Sequence, residues 1–263
     1  MKSILVTGAY GGMGRAACRL LRDTGYTVFA LDKKISGAED GIIPIEADIT
    51  SEDSIKNALE TVRESAESLD AVLHFAGMYM LDSLVEMSDE DFRRIFDVNL
   101  RGAFLINKTF LPMLKNGSRI LIITSELAPL DPLPFTGIYA VTKAALDKYA
   151  YSLRMELQLL GVSVSVLRAG AVKTQMLGAS TDALDRFCDK TWIYSCNAAR
   201  FKRIVGNVEA RHIAPEAIAM KALRILKKRS PRFAYSINRN PLLLLLNALP
   251  KRLQLLAIKT ILK

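Results

Sequence analysis

Tyr139 and Lys143 are the residues whose types and spacing most directly indicate chemistry. Residues four positions apart lie on one face of a helix, about one turn from each other. An ammonium group beside a phenol favours the ionised phenol, so Lys143 is predicted to lower the pKa of Tyr139. The pair would then exchange protons with a reacting oxygen. Taken alone, the spacing also fits an ordinary pair on a helix.

A glycine-rich loop, Thr7-Gly-Ala-Tyr-Gly-Gly-Met-Gly14, joins the first apolar run to the first helical segment. Glycines there allow a tight turn and let the backbone approach a pyrophosphate at the helix N-terminus. Asp32 ends the second apolar run, about twenty residues further on, where a carboxylate can accept hydrogen bonds from ribose hydroxyls. This arrangement predicts a dinucleotide site.

The charge of Asp32 bears on which dinucleotide is bound. A carboxylate at this position opposes a 2′-phosphate, so we predict NAD in preference to NADP. Lys33 and Lys34 follow directly and could offset that repulsion.

These residues must be positioned by elements that alternate along the chain. Short apolar runs occur at 4–7, 27–31, 42–46, 71–75, 120–124 and 162–167, and amphipathic segments at 13–24, 51–66, 88–114 and 137–160. Runs that are apolar on both faces indicate a buried parallel sheet with helices on both sides. The predicted fold is therefore α/β, a Rossmann-type doubly wound sheet.

The length of 263 residues and the absence of a Pro/Gly/Ser-rich linker favour one catalytic domain, over residues 1–240, with a leucine-rich basic extension over 241–263. The cysteines, Cys18, Cys188 and Cys196, are odd in number and lack C-x-x-C spacing, which favours a reducing compartment. No signal peptide is recognisable at the N-terminus. We expect a cytoplasmic protein.

Positive charge is concentrated near the C-terminus. Residues 201–263 contain 14 Lys/Arg and 2 Asp/Glu, whereas residues 1–200 contain 22 and 25. Basic residues confined to a leucine-rich end favour an anionic membrane surface over nucleic acid, and a solvated lysine-rich face is the alternative. In a helix after Pro250, Arg252, Lys259 and Lys263 fall in one arc, opposite much of the apolar surface. That geometry fits a membrane interface or a dimer partner.

Taken together, these motifs resemble the short-chain dehydrogenase/reductase family, in its single-domain, hydroxysteroid dehydrogenase-like branch. The resemblance covers residues 1 to about 175. It rests on the glycine loop, Asp32, Asp48, Ala76-Gly77, Val98-Asn99, Ser125, the Tyr139/Lys143 pair and Thr174. The frequent Asn-Asn-Ala-Gly of the family reads His74-Phe75-Ala76-Gly77 here, and its frequent Pro-Gly reads Ala169-Gly170, which weakens two supporting contacts.

The resemblance implies a set of functional residues. The cofactor-binding set is Gly8, Tyr10, Gly12, Met13, Gly14, Asp32, Asp48, Ile49, Ala76, Gly77, Asn99, Tyr139, Lys143, Val172 and Thr174. The implied catalytic set is Asn99, Ser125, Tyr139 and Lys143. Tyr139 would exchange the proton with the substrate oxygen, which Ser125 would hydrogen-bond, while Asn99 would hold a water linking Lys143 to solvent. Tetramers are frequent among similar proteins, so we expect a homo-oligomer, a dimer or a tetramer.

Substrate specificity in similar proteins lies after the sixth strand, which makes residues 176–211 the expected lid. Apolar residues there and beside the catalytic set predict a lipophilic substrate, steroid-like or another lipid: Met176, Leu177, Leu184, Phe187, Trp192, Ile193, Tyr194, Phe201, Met78, Tyr79, Met80, Leu127 and Leu130. Alternatives are a fatty-acyl ketone reductase and an NAD-binding regulatory or scaffold protein. A nucleotide-sugar epimerase or dehydratase would need a larger C-terminal domain.

No metal site is predicted. The two histidines, His74 and His212, belong to no cluster with ligand spacing. His74 is explained as a strand-end residue in an apolar context.

Overall fold

A parallel β-sheet forms the centre of the computed structural model, which describes residues 2–37, 39–208 and 212–263, without the side chains of 175–181 and 206–208. Within these residues the strands are β1 (Lys2–Thr7), β2 (Tyr26–Asp32), β3 (Ile42–Glu46), β4 (Leu69–His74), β5 (Leu114–Ser125), β6 (Ser163–Ala169) and β7 (Ala234–Ile237). Their order is β3-β2-β1-β4-β5-β6-β7, and all neighbouring strands are parallel. The predicted doubly wound α/β fold is confirmed.

Helices cover both faces of the sheet. They are α1 (Gly12–Asp23), α2 (Glu52–Arg63), α3 (Asp89–Phe96), α4 (Gly102–Phe110), α5 (Gly137–Leu157), α6 (Gln175–Lys190), α7 (Ser195–Val208), α8 (Pro215–Leu226), α9 (Pro241–Ala248) and α10 (Lys251–Leu262). Apolar side chains of α2, α4 and α5 pack in one cluster against the sheet. Those of α1 and α8 pack in a second. Each strand at the centre is therefore buried on both sides.

Local sequence signals set several helix starts. The Ser51 hydroxyl accepts a hydrogen bond from the Ser54 amide at the start of α2, and Ser88 does the same for Asp91 at the start of α3. Both first turns are acidic, which complements the positive end of the helix dipole.

The segment predicted as one helix over 88–114 contains an irregular turn. A π-helical turn, Asp97–Arg101, lies between α3 and α4, and a 3-10 turn, Leu111–Met113, follows α4. A π-bulge inserts a residue into the helical repeat and is frequent at functional sites. Here it contains Asn99, whose side chain is buried.

The expected lid over 176–211 forms two helices, α6 and α7, within its described part. They share a third apolar cluster with Phe135 and Leu81, in which Phe187 and Phe201 are buried. Leu262 of α10 packs against this cluster. Among the described residues, no helix is long and apolar enough to cross a bilayer.

Candidate active site

The predicted functional residues gather at the carboxyl ends of β1, β4 and β5. β1 leads into the glycine loop, β4 leads into Ala76-Gly77, and β5 ends at Ser125. These strands are adjacent in the sheet, so their ends form one edge. Crevices at this edge are where doubly wound folds bind ligands.

The glycine loop is closely packed against its neighbours. Gly8 has a φ of +66°, and a Cβ there would lie 2.5 Å from the Ala76 amide nitrogen. A Cβ on Gly14 would overlap the Gly8 carbonyl oxygen, and one on Gly12 would lie 2.8 Å from the Thr174 side chain. Positions 8 and 14 therefore require glycine, and a larger residue at 12 would have to displace the Thr174 side chain. The resulting cradle fits a pyrophosphate at the N-terminus of α1.

A cavity of about 1040 Å³ runs along this edge. The predicted cofactor residues among its walls are Gly8, Tyr10, Gly12, Met13, Gly14, Asp32, Asp48, Ile49, Ala76, Gly77 and Thr174. Val172 is placed differently, because it is buried and bridges to Ile213. The walls do not include Asn99, Ser125, Tyr139 or Lys143. Asn99 and Lys143 lie next to Gly77, and Tyr139 packs against Tyr79, which are both wall residues.

Asp32 is held in place by the backbone around it. One carboxylate oxygen accepts a hydrogen bond from the Tyr10 amide at 2.9 Å, and the other accepts one from the Lys33 amide at 2.7 Å. The Lys33 ammonium forms an ion pair with the Asp48 carboxylate at 2.7 Å. Burial raises the pKa of Asp48, but hydrogen bonds from Lys33 and Thr50 outweigh it and bring the pKa to about 2. Lys33 is thus already paired with a carboxylate.

Ser125, Tyr139 and Lys143 are brought together by β5 and α5. The Ser125 side chain lies near enough to Tyr139 to lower the pKa of its phenol, and the Lys143 Nζ lies 5.7 Å from the centre of the Tyr139 ring. Lys143 is 5% exposed, and its ammonium donates a long, 3.5 Å hydrogen bond to the Ile123 carbonyl. A Cβ on Gly77 would lie 3.2 Å from the Lys143 Nζ. Glycine at 77 therefore leaves room for the ammonium at the cavity wall.

Asn99 ties the loop after β4 to α5. Its Oδ1 accepts a hydrogen bond from the Met78 amide at 2.8 Å. Its Nδ2 donates to the Met78 carbonyl at 3.0 Å and to the Thr142 hydroxyl at 3.1 Å. Asn99 thus fixes the backbone beside Gly77 relative to Lys143. The expected water at this residue stays a prediction.

The prediction that Lys143 lowers the pKa of Tyr139 below its ordinary value is wrong. Burial raises the pKa of Tyr139 to about 12, and the nearby Ser125 side chain opposes the rise only in part. Burial lowers the pKa of Lys143 to about 8. Low polarity around both groups disfavours their charged forms, and this outweighs the attraction between a phenolate and an ammonium.

His74 lies outside this chemistry. It is buried, its Nε2 is 2.9 Å from the Asn107 Oδ1, and burial lowers its pKa to about 4. Among the described residues, no group of three or more His, Cys, Asp or Glu side chains is arranged to hold a metal ion.

A second cavity of about 510 Å³ adjoins the first. Of the residues expected to form the substrate pocket, Met78, Tyr79, Met80 and Phe187 line it. The Tyr79 ring also packs against the Tyr139 ring, with centroids 4.9 Å apart. This contact places the second cavity next to Tyr139.

Other expected pocket residues lie elsewhere. Leu184 and Phe201 are buried in the apolar cluster under α6 and α7, and Tyr194 packs there against Phe135. Trp192 is 82% exposed. Leu127 and Leu130 are partly buried beyond the cavity walls. Met176 and Leu177 have side chains outside the described part of the chain.

The second cavity is less apolar than predicted. Charged side chains contribute to its walls: Asp82, Asp91, Arg94, Arg186 and Lys190. Lys190 pairs with Asp82 at 2.9 Å, whereas Arg94 and Arg186 border both cavities. Sequence reasoning missed the two arginines because exposed arginines on amphipathic helices usually form a solvated face. Only the placement of α6 opposite α3 shows their position.

Comparison with known proteins agrees with this geometry. The sequence profile of the family described as short chain dehydrogenase matches residues 2–185. Estradiol 17-beta-dehydrogenase 2 of Mus musculus is 35% identical over 199 residues, covering 70% of this chain and 51% of that protein. The NADPH-dependent 1-acyldihydroxyacetone phosphate reductase of Schizosaccharomyces pombe is 29% identical over 192 residues, covering 69% and 65%. The chain thus spans about half to two thirds of the length of these relatives.

Among solved structures, the 3-ketoacyl-(acyl-carrier-protein) reductase of Brucella melitensis, complexed with NADH, superposes with a TM-score of 0.74. It is 21% identical, and the match covers 90% of this chain and 96% of that one. At this identity the likeness establishes the fold.

Proposed function

Because the chain belongs to the short-chain dehydrogenase family, we propose that it is a nicotinamide-dependent oxidoreductase that interconverts a secondary alcohol and a ketone. The observation that carries this proposal is the convergence of Ser125, Tyr139 and Lys143 at the Gly77 end of the cavity. A protein that only binds a dinucleotide has no need for this set of residues.

Tyr139, Ser125 and Lys143 have different roles in the proposed reaction. When bound, the nicotinamide supplies the acceptor or donor of a hydride. In alcohol oxidation, Tyr139 takes the hydroxyl proton as the carbinol carbon loses its hydride, and in ketone reduction it returns that proton. Ser125 orients the substrate oxygen toward the phenol. Lys143, when protonated, stabilises negative charge on Tyr139.

The glycine loop and Asp32 support a dinucleotide in the main cavity. The cradle formed by Gly8, Gly12 and Gly14 would hold the pyrophosphate, and Asp32 would accept hydrogen bonds from the adenosine ribose. NAD is the proposed cofactor. Lys33 forms an ion pair with Asp48 and therefore does not neutralise Asp32, whose charge opposes the 2′-phosphate of NADP. In Asp32→Ala, the ratio of kcat/KM with NAD to that with NADP should fall; an unchanged ratio would contradict the assignment.

We propose a lipophilic substrate for the second cavity. Its walls include Met78, Tyr79, Met80 and Phe187, which suit an apolar body next to Tyr139. Estradiol 17-beta-dehydrogenase 2 is a relative whose name indicates a substrate of this kind. The sterol or lipid hydroxyl would lie between Ser125 and Tyr139.

A fatty-acyl ketone is the second candidate, favoured by Arg94 and Arg186. Neither arginine has an ion-pair partner in the described part of the chain, and a guanidinium recognises carboxylate and phosphate well. An acyl substrate with an anionic end would place its chain against Tyr79 and its charge near these arginines. The named activity of the Schizosaccharomyces pombe relative fits this alternative.

A substrate panel tests the proposal. Absorbance of the reduced nicotinamide would be followed with hydroxysteroids, long-chain secondary alcohols, acyl ketones, polyols and sugars, with both cofactors and in both directions. Turnover restricted to hydroxysteroids and long-chain alcohols supports the first candidate, and turnover of anionic acyl ketones supports the second. Tight NAD binding without turnover of any compound would favour a regulatory or scaffold role.

We also propose a homo-oligomer, as expected for similar proteins. Exposed apolar side chains on α4 and α5 offer a contact for a second copy: Phe104, Val141, Tyr151 and Met155. Sedimentation of Tyr151→Glu/Met155→Glu should show a smaller particle than the unaltered protein. An unchanged mass would place the contact elsewhere or indicate a monomer.

A further inference from the structure

The C-terminal helices α9 and α10 expose an unusual number of large aliphatic side chains. Leu242, Leu245, Leu253, Leu255, Leu256 and Ile261 are each more than half exposed. In contrast, Gln254 of α10 is 5% exposed. A helix that packs on a globular protein normally buries its leucines and turns its amides to solvent. In α10 Ile258 and Leu262 are partly buried, but Gln254 is buried while Leu253, Leu255 and Leu256 are exposed.

Asp131, in the segment after β5, accounts for this inverted orientation. Its carboxylate pairs with the Lys251 ammonium and accepts a hydrogen bond from the Gln254 amide at 3.2 Å. Its backbone amide donates to the Asn247 side chain at 2.8 Å. Polar side chains of both helices therefore face the protein. Because these contacts set the rotation of α10, Leu253, Leu255 and Leu256 turn outward.

Positive charge accompanies the exposed leucines. Residues 241–263 contain Lys251, Arg252, Lys259 and Lys263, and no Asp or Glu. Lys251 is engaged with Asp131, whereas the other cations have no ion-pair partner within the described residues. The sequence predicted these cations opposite most of the apolar surface. The structure instead exposes leucines and cations on the same outward side of α10.

The extension is also attached next to the active site. The Asn240 amide, just before α9, donates a 2.6 Å hydrogen bond to Glu126, the residue after Ser125. At the other end, the Leu262 carbonyl accepts a 2.7 Å hydrogen bond from Asn197, and its side chain packs in the cluster that contains Phe187. Phe187 lines the second cavity. The outward leucines therefore lie on a layer that adjoins the proposed substrate site.

We infer that α9 and α10 seat the protein on an anionic lipid surface. The exposed leucines would enter the boundary between headgroups and acyl chains, and Arg252, Lys259 and Lys263 would contact anionic headgroups. This mode of binding lies on the bilayer and needs no spanning helix. A substrate dissolved in the membrane would then be delivered beside Tyr139, a second step that rests on the proposed function.

The charge pattern favours lipid over a second copy of the chain. A two-fold interface brings the same patch of both subunits together. In that arrangement Arg252, Lys259 and Lys263 would meet each other, with no acidic residue of 241–263 to neutralise them. An anionic bilayer supplies the missing negative charge.

Vesicle flotation of the 263-residue chain tests the inference. The unaltered protein should float with vesicles of phosphatidylcholine and phosphatidylserine, and much less with phosphatidylcholine alone. Leu253→Gln/Leu255→Gln/Leu256→Gln should lower the partition coefficient at least about tenfold, because apolar burial is lost. Arg252→Gln/Lys259→Gln/Lys263→Gln should lower it too, and should remove the dependence on phosphatidylserine.

A matched control replaces equally exposed leucines elsewhere. Leu159→Gln/Leu160→Gln alters two exposed leucines after α5, and this variant should float like the unaltered protein. Failure of the unaltered protein to float, or undiminished flotation of the triple leucine variant, overturns the inference. So does a triple leucine variant that sediments as a smaller oligomer, because the leucines would then form a subunit interface.

Turnover separates this inference from the proposed function. The triple leucine variant should oxidise a water-soluble secondary alcohol with unchanged kcat/KM, but should show a raised KM for a substrate presented in vesicles. Flotation without turnover of any alcohol would leave the membrane surface in place and contradict the enzymatic proposal. Turnover of an alcohol by a protein that does not float would support the enzymatic proposal and contradict binding to a membrane surface.

Discussion

Tyr139 and Lys143 lie on one face of α5, with the Lys143 Nζ 5.7 Å from the centre of the Tyr139 ring. Burial raises the pKa of the phenol to about 12 and lowers the pKa of the ammonium to about 8. At neutral pH the pair is therefore a protonated phenol beside an ammonium. This is the protonation state that donates a proton to a ketone oxygen.

Ketone reduction and alcohol oxidation should consequently differ in their pH dependence. Oxidation needs deprotonated Tyr139, so its kcat should rise with pH from 7 through the alkaline range, since the pKa of Tyr139 is raised. Reduction needs protonated Tyr139 and should not rise in this way. Because the pKa of Lys143 is about 8, its cation is present at neutral pH and is lost in the alkaline range, so Lys143→Met should lower the oxidation kcat more at pH 7 than at pH 10. Identical pH profiles for the two directions would contradict this assignment.

Gly77→Ala should impair catalysis through Lys143. The added Cβ would lie 3.2 Å from the Lys143 Nζ and 3.3 Å from the Asn99 Oδ1, so both side chains must shift. We expect kcat to fall about tenfold or more, because small displacements of catalytic groups are costly. Gly137→Ala is the control, since its Cβ would meet only Leu84, at 3.4 Å. Equal kcat values for the two variants would refute the packing argument.

Gly14→Ala should abolish cofactor binding. A Cβ at this position would overlap the Gly8 carbonyl oxygen, which forces the loop open. Gly11→Ala serves as the comparison, because its Cβ would approach the same oxygen only to 3.4 Å. Titration calorimetry with NAD should show heat for the Gly11 variant and none for the Gly14 variant. Comparable dissociation constants would exclude the glycine loop as the pyrophosphate cradle.

His74 should make the protein less stable in acid. Its pKa is about 4 in the folded state and near 6.5 in an unfolded chain. Between these values the unfolded state binds more protons, so stability falls as pH decreases, by about 3 kcal/mol in total. His74→Asn cannot titrate and should show a correspondingly shallower loss in urea unfolding between pH 6.5 and 4. The same pH slope in both proteins would mean that His74 is not responsible.

Much of the fold was predictable from local patterns. The six predicted strands correspond to β1 to β6, because continuous apolar runs are typical of a doubly covered parallel sheet. β7 was not predicted. Its residues, Ala234–Ile237, are few, include two polar side chains and are only partly buried. Pairing with β6 determines this strand, and that contact is invisible in the local sequence.

The candidate site was likewise predictable only in part. Motif spacing predicted the glycine loop, Ser125 and Tyr139, and the structure brings Ser125 and Tyr139 together. Sequence could not predict the burial that raises the Tyr139 pKa, since that depends on the surrounding helices. Nothing in the sequence indicated the role of Asp131. Its hydrogen-bond partners, Asn247 and Gln254, lie more than a hundred residues further along the chain.

Replacement of Tyr139 by phenylalanine shows whether this phenol exchanges the proton with the substrate. The substitution removes one hydroxyl and keeps the ring that packs against Tyr79. NAD affinity by calorimetry and turnover of the best alcohol would be measured on the same preparation. We expect an NAD dissociation constant within about threefold of that of the unaltered protein, and a kcat lower by a factor of about 100 or more. Undiminished kcat in Tyr139→Phe would contradict the assigned role of Tyr139, because another group would then have to exchange the proton.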